Sequence, residues 1–190
     1  MWTASAMATL ERPRPTTSLR YLVALVPLLC GLVAVFITNI PVSILGGLVP
    51  PPLLGLVPVY FWCLVRPDLM TPAAAFAIGL AEDILSGGPP GVWTLAFVLT
   101  YTVVARQRDS FAGLGGAAAV VGFAAVAAFA CAVAWLAVAF LALLSPGATR
   151  WPLLAPILSE LAMTVLFYVP TAMVTGWVHH RIVGPMRSDI

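Results

Sequence analysis

Charge is the scarcest property of this chain. Asp, Glu, Lys and Arg together make up 8% of its 190 residues, against about 25% in soluble domains. A water-soluble domain of this size could not cover its surface with so few charges, so that class is excluded. The net charge is only +2 and no Lys/Arg run is present, which excludes nucleic acid as a partner. Cysteine is rare too. Cys30, Cys63 and Cys131 lie far apart in apolar stretches without CxxC spacing. They read as small buried hydrophobes, not as disulfide partners or metal ligands. Catalytic signatures are missing as well: there is no HExxH for an intramembrane metalloprotease and no GxSxG elbow for a serine nucleophile. The expectation is no cofactor, no metal and no enzyme activity.

Apolar side chains fill the chain instead, at 62% hydrophobic residues and a mean hydropathy of +1.05. The fold class expected is an all-α integral membrane protein, a six-transmembrane-helix bundle. Residues 1–20 read as a cytoplasmic tail, 21–178 as a single transmembrane domain and 179–190 as a second cytoplasmic tail. The spans fall at about 21–38, 44–65, 72–86, 91–105, 112–144 and 153–178. The first has the length of an uncleaved span, since 18 residues at about 1.5 Å each give roughly 27 Å. The second is interrupted by Gly46, Gly47, Pro50, Pro51, Pro52, Gly55 and Pro58. Its freed backbone groups must be packed against protein or lie near an interface, because lipid cannot satisfy them. The fifth is one long helix rich in small residues, with Ala118–Gly122 and Ala124–Ala128–Ala132 at four-residue spacing. Such ladders let helices approach closely in lipid.

Arginine placement gives the orientation. With the N-terminus in the cytoplasm, Arg12, Arg14, Arg20, Arg66, Arg106, Arg108, Arg181 and Arg187 fall inside and only Arg150 falls outside. Trp62, Trp93, Trp151 and Trp177 sit near span ends as interfacial anchors, and Tyr60-Phe61-Trp62 before Arg66 reads as an aromatic belt. Trp135 reads as packing.

Against this background two features stand out. Glu82 and Asp83 are the only charges between Pro72 and Ala105. An acidic side chain at membrane depth costs roughly 2.5–3.5 kcal/mol on insertion scales, so a packing or partner-contacting role is the default. The two point about 100° apart on a helix and do not converge on one atom. Glu82 is expected to face interfacial water. Asp83 is expected to face inward, with Gly79 one turn before it on the same face. Gly79, Asp83, Gly87 and Gly91 are spaced by four, and Gly87-Gly88-Pro89-Pro90-Gly91 forces a reversal. Glu160, two turns into the last span, is the other intramembrane carboxylate. It reads either as hydrated or as a polar contact with span three or a partner. His179 and His180 are adjacent, point to different faces and form a headgroup-facing edge with Arg181 and Arg187.

These residues carry a resemblance. Tyr60-Phe61-Trp62, Arg66-Pro67, Ala75-Phe76, Gly79-Leu80, Asp83-Ile84-Leu85, Gly87, Pro90-Gly91 and Leu95 resemble the bacterial rod shape-determining protein MreD family. The matching stretch covers about 40 residues. Glu82 departs from the pattern, as does the Pro/Gly-rich second span, and beyond Arg106 the match is one of character only. The resemblance implies a fold similar to the substrate-binding subunits of energy-coupling-factor transporters. It implies a non-enzymatic scaffold in the bacterial inner membrane, part of the cell-elongation (rod) complex that supports peptidoglycan synthesis. MreC would be its direct partner, with MreB, RodA and a class B penicillin-binding protein in the complex and membrane lipid around it. The polar or structural residues would be Gly79, Glu82, Asp83, Gly87, Gly91, Glu160 and Arg66. The rival reading is the substrate-binding subunit of a vitamin-type transporter.

Overall fold

The computed structural model describes residues 17–40, 50–111, 113, 115–144 and 151–183, with side-chain surroundings from Val23 onward. Every regular element among them is helical: α1 (Thr17–Thr38), α2 (Leu56–Val65), α3 (Pro72–Ser86), α4 (Val92–Arg106), α5 (Arg108–Phe111), α6 (Ala117–Leu144), α7 (Leu154–Leu166), α8 (Tyr168–Val178) and a closing π-helical turn, His179–Val183. The expected tail 1–16, Gly46, Gly47, Arg150 and Arg187 lie outside the described residues.

Local chemistry sets the helix ends. Thr71 starts α3, its hydroxyl accepting from Ala74 N–H at 3.1 Å with Pro72 at the first helical position. Gly87 stops α3 in the left-handed region at φ 67°. The fifth apolar run is a single uninterrupted helix, but it begins at Ala117 and not at 112. Gly116, with φ 56°, separates it from the four-residue α5.

Among the described residues of the Pro/Gly-rich second span the helix is the ten-residue α2, about 15 Å long. Pro52 to Gly55 ahead of it is non-helical yet buried or partly buried. Leu53 is buried, and its N–H donates to Thr164 Oγ1 of α7 at 2.8 Å. That bond supplies the partner lipid cannot offer.

The last apolar run departs from expectation. It is two helices, α7 and α8, bent by 47° at Phe167. Pro170 explains the break. It has no N–H for the carbonyl of Leu166, and its ring would collide with that carbonyl in a straight helix.

The most extensive packing is of α3 on α4, followed by α4 on α6 and then α6 on α7; α1 lies against α2 and α3, and α2 against α4 and α8. The core is filled by Val35, Leu53, Leu56, Trp62, Ile78, Phe97 and Phe123. Tyr60 sits edge-on to Phe111, Phe123 and Tyr168, while Phe123 and Tyr168 stack at 4.3 Å. The aromatic-belt expectation for Tyr60 and Trp62 is therefore corrected. Trp62 is 0% exposed, because α2 is short and walled in by α1, α4 and α8. Trp151 and Trp177 are exposed.

Large apolar side chains face outward all along the helices, among them Leu29 and Phe36 on α1 and Leu136 and Phe140 on α6. Among the described residues, α6 alone is long and apolar enough to cross a membrane, and the bent α7–α8 pair qualifies if taken as one span. The small residues divide by face. Ala127, Ala130 and Ala134 pack inward, whereas the ladder positions Ala128 and Ala132 point out.

Candidate functional site

The α3–α4 hairpin gathers Gly79, Asp83, Gly87 and Gly91 into one construction. A helix leaves its first backbone N–H groups without internal partners. At the start of α4 the capping position is Gly91, which has no side chain to serve them. Asp83 does so from the neighbouring helix. Its Oδ2 accepts from Gly91 N at 3.0 Å, from Thr94 N at 2.9 Å and from the Thr94 hydroxyl; its Oδ1 accepts from Trp93 N at 2.8 Å. Asp83 is 5% exposed. Desolvating it is offset by these four donors and by the positive end of the α4 dipole.

The glycines make the clamp reachable. Gly91 adopts φ 90° and Gly87 φ 67°, conformations that L side chains resist. Gly79 permits the close helix approach: a Cβ there would stand 2.8 Å from Thr94 Cα and 3.0 Å from the Trp93 carbonyl oxygen. The face that Gly79 opens is filled by α4 of the same chain. Thr94 is a site residue that sequence reasoning missed. Its only signal was its place three residues after the turn glycine, in the first turn of α4.

Glu82 corrects an expectation. It does not face interfacial water but is 2% exposed. Its Oε1 accepts from Asn39 Nδ2 at 3.0 Å, and Asn39 also donates to Val35 O at the end of α1. The other oxygen, Oε2, has no hydrogen-bond partner among the described residues. The adjacent acids thus join different helices, Glu82 to α1 and Asp83 to α4.

Glu160, in the second turn of α7, is half-buried. Its backbone carbonyl accepts from the Thr164 hydroxyl at 2.7 Å, the same hydroxyl that holds Leu53. Glu160 lines a cleft of about 270 Å³ between α4, α6 and α7, with Trp93, Trp135, Val138, Pro152 and Ile157. Trp135 Nε1 donates to Pro152 O at 3.2 Å and its ring meets Trp151 edge-on, which fixes that wall.

Arg66 lies at the opposite end of the helices from the hairpin turn. It holds Asp68 by two parallel bonds, Nε to Oδ1 at 2.9 Å and a terminal nitrogen to Oδ2 at 2.8 Å. That pairing keeps the Asp68 carboxyl below its ordinary range. His179 packs edge-on against Trp62 at 5.4 Å. Burial, with help from His180 and Arg66, pushes its pKa down. His180 stacks obliquely on His179, and Arg181 lies over Trp177 at 5.8 Å. Cys63 and Cys131 are buried, Cys30 is partly so, and all three are free.

No family model, no curated protein and no solved structure matches this chain.

Proposed function

We propose that this chain is a multi-pass scaffold of the bacterial inner membrane, an MreD-type subunit of the cell-elongation complex that binds MreC and carries no catalysis of its own. The observation that carries the reading is the α3–α4 hairpin. The residues that give the resemblance its order, Gly79, Asp83, Gly87 and Gly91, all serve one structural device, a carboxylate that ties two short helices together. Such a device suits a rigid platform for neighbouring helices. Lipid gives little hydrophobic drive for helix association, so shape and polar contacts must do the joining.

A six-pass arrangement would fit the same reading. α1, α3 and α6 would run outward; α2, α4 and the bent α7–α8 would return. Arg66, Arg106, Arg108 and Arg181 close the returning helices or follow them directly, as cytoplasmic positive charge requires. MreB, RodA and a class B penicillin-binding protein would join through the complex.

One observation favours the transporter reading. A cavity of about 530 Å³ opens between α1, α2 and α8. Among its wall residues only Thr171, Thr175 and the Cys30 thiol bear polar side-chain atoms, and a vitamin needs several converging ones.

The two readings separate in one preparation. Tagged protein taken up in mild detergent should bring down MreC and the rod synthases, and a panel of vitamins should leave its melting temperature unchanged. Failure to recover MreC, or a shift of several degrees with one vitamin, would overturn the scaffold.

A further inference from the structure

We propose that the cleft between α4, α6 and α7 receives a single basic side chain, an Arg or Lys, from a transmembrane segment of a partner protein, with Glu160 as its counter-charge. This deepens the scaffold reading and rests on it for the nature of the partner. Three observations converge.

The first is unbalanced charge. Glu82 is 2% exposed and Glu160 is half-buried. The ion pairs among the described residues are Arg66–Asp68 and Arg108–Asp109, on other side chains altogether. Glu82 holds one oxygen fully buried without a donor, and the Glu160 carboxylate has no hydrogen-bond donor among the described residues. An acid without a donor at the edge of an apolar cleft is stabilised by an incoming cation.

The second is the shape and chemistry of the walls. The cleft is about 270 Å³ and apolar apart from Glu160 and the two tryptophans. A long side chain places methylenes on such walls and its charge at the far end. Trp93 and Trp135 add aromatic surface of the kind that attracts guanidinium and ammonium groups.

The third decides between sources of positive charge. A zwitterionic phospholipid would bring its phosphate along with its amine. Among the described residues no Arg, Lys or His lines the cleft, so the phosphate would meet apolar wall and a carboxylate. A side chain with one charged end meets no such conflict.

Two measurements test this on the full chain in detergent. Butylguanidinium is titrated while tryptophan fluorescence is read, with Trp93 and Trp135 as reporters. Saturable binding should weaken at least tenfold in Glu160→Gln and recover partly in Glu160→Asp, with melting temperatures showing that all three are folded. Equal binding by wild type and Glu160→Gln overturns the cleft as a cation site. So does displacement of the probe by bicelles containing phosphatidylethanolamine, which would make the occupant a lipid. Stronger probe binding in Arg150→Gln overturns the proposal as well, because the chain's own arginine would then compete for the cleft. Co-purification with MreC is the second readout. If wild type recovers MreC and Glu160→Gln loses most of it, the proposal stands. Undiminished recovery by Glu160→Gln overturns it. Should wild type recover no MreC at all, the scaffold reading falls, while the guanidinium titration still decides whether the cleft takes a cation.

Discussion

At the scale of single residues, the hairpin turns a costly group into a structural one. Asp83 would be unfavourable in lipid, yet four donors converge on it. Replacing it with Ala strips three backbone N–H groups and a hydroxyl of their acceptor. At about 1–3 kcal/mol per buried polar group left bare, Asp83→Ala should destabilise the fold by about 3 kcal/mol or more. Asp83→Asn should lose roughly half as much, since its amide keeps one acceptor oxygen but turns an NH₂ toward donors. Thermal unfolding in detergent, followed by circular dichroism, measures both. An Asp83→Ala protein as stable as wild type would mean that packing alone holds the hairpin. The inward direction of Asp83 was legible because Gly79 stands one turn away. The burial of Glu82 was not, because its partner Asn39 is 43 positions distant and no local period links the two. The same limit hid Thr164 as the acceptor for Leu53, 111 positions away.

At the scale of elements, proline and glycine explain where composition misleads. The helices α3 and α4 follow the apolar segments closely, because Thr71, Pro72, Gly87 and Gly91 punctuate them with recognisable capping chemistry. Beyond its first turn, the run after Pro152 holds one proline, Pro170, and apolarity on both sides of it suggested a single rod. The 47° bend follows from Pro170, which offers no N–H to the Leu166 carbonyl and needs room for its ring; composition alone does not give its size. Pro170→Ala restores the missing donor and should straighten the pair. Spin labels at positions 154 and 182, both on exposed side chains, should move apart by about 3 Å, given a rise of 1.5 Å per residue on either side of the bend. Pulsed electron resonance would read this distance. An unchanged value would assign the bend to packing and not to the proline.

At the scale of the whole molecule, the short helices raise the question of depth. The 15 residues of α3 reach only about 22 Å, less than a hydrocarbon core of about 30 Å. The six-pass reading requires the turn after Ser86 to reach outer water by local thinning of the bilayer or by lying at its interface. A cysteine at Ser86 should therefore react with a membrane-impermeant maleimide on intact spheroplasts, whereas one at Asp109 should react only after permeabilisation. Both positions are exposed, and the native thiols are buried or partly so. Protection of Ser86→Cys on intact cells would turn α3 and α4 into a re-entrant pair. The helical class was legible from composition alone, since 8% charge leaves few other choices. Which helices are neighbours was not, because small and apolar residues occur on nearly every face.

The bond from Leu53 to Thr164 bears on how the protein is made. A ribosome that has just finished α6 has not yet synthesised the hydroxyl that will hold this amide. Until α7 is made and packs, the proline-rich bend near Leu53 must borrow another partner. Maturation of the early half of the chain therefore waits for its last third.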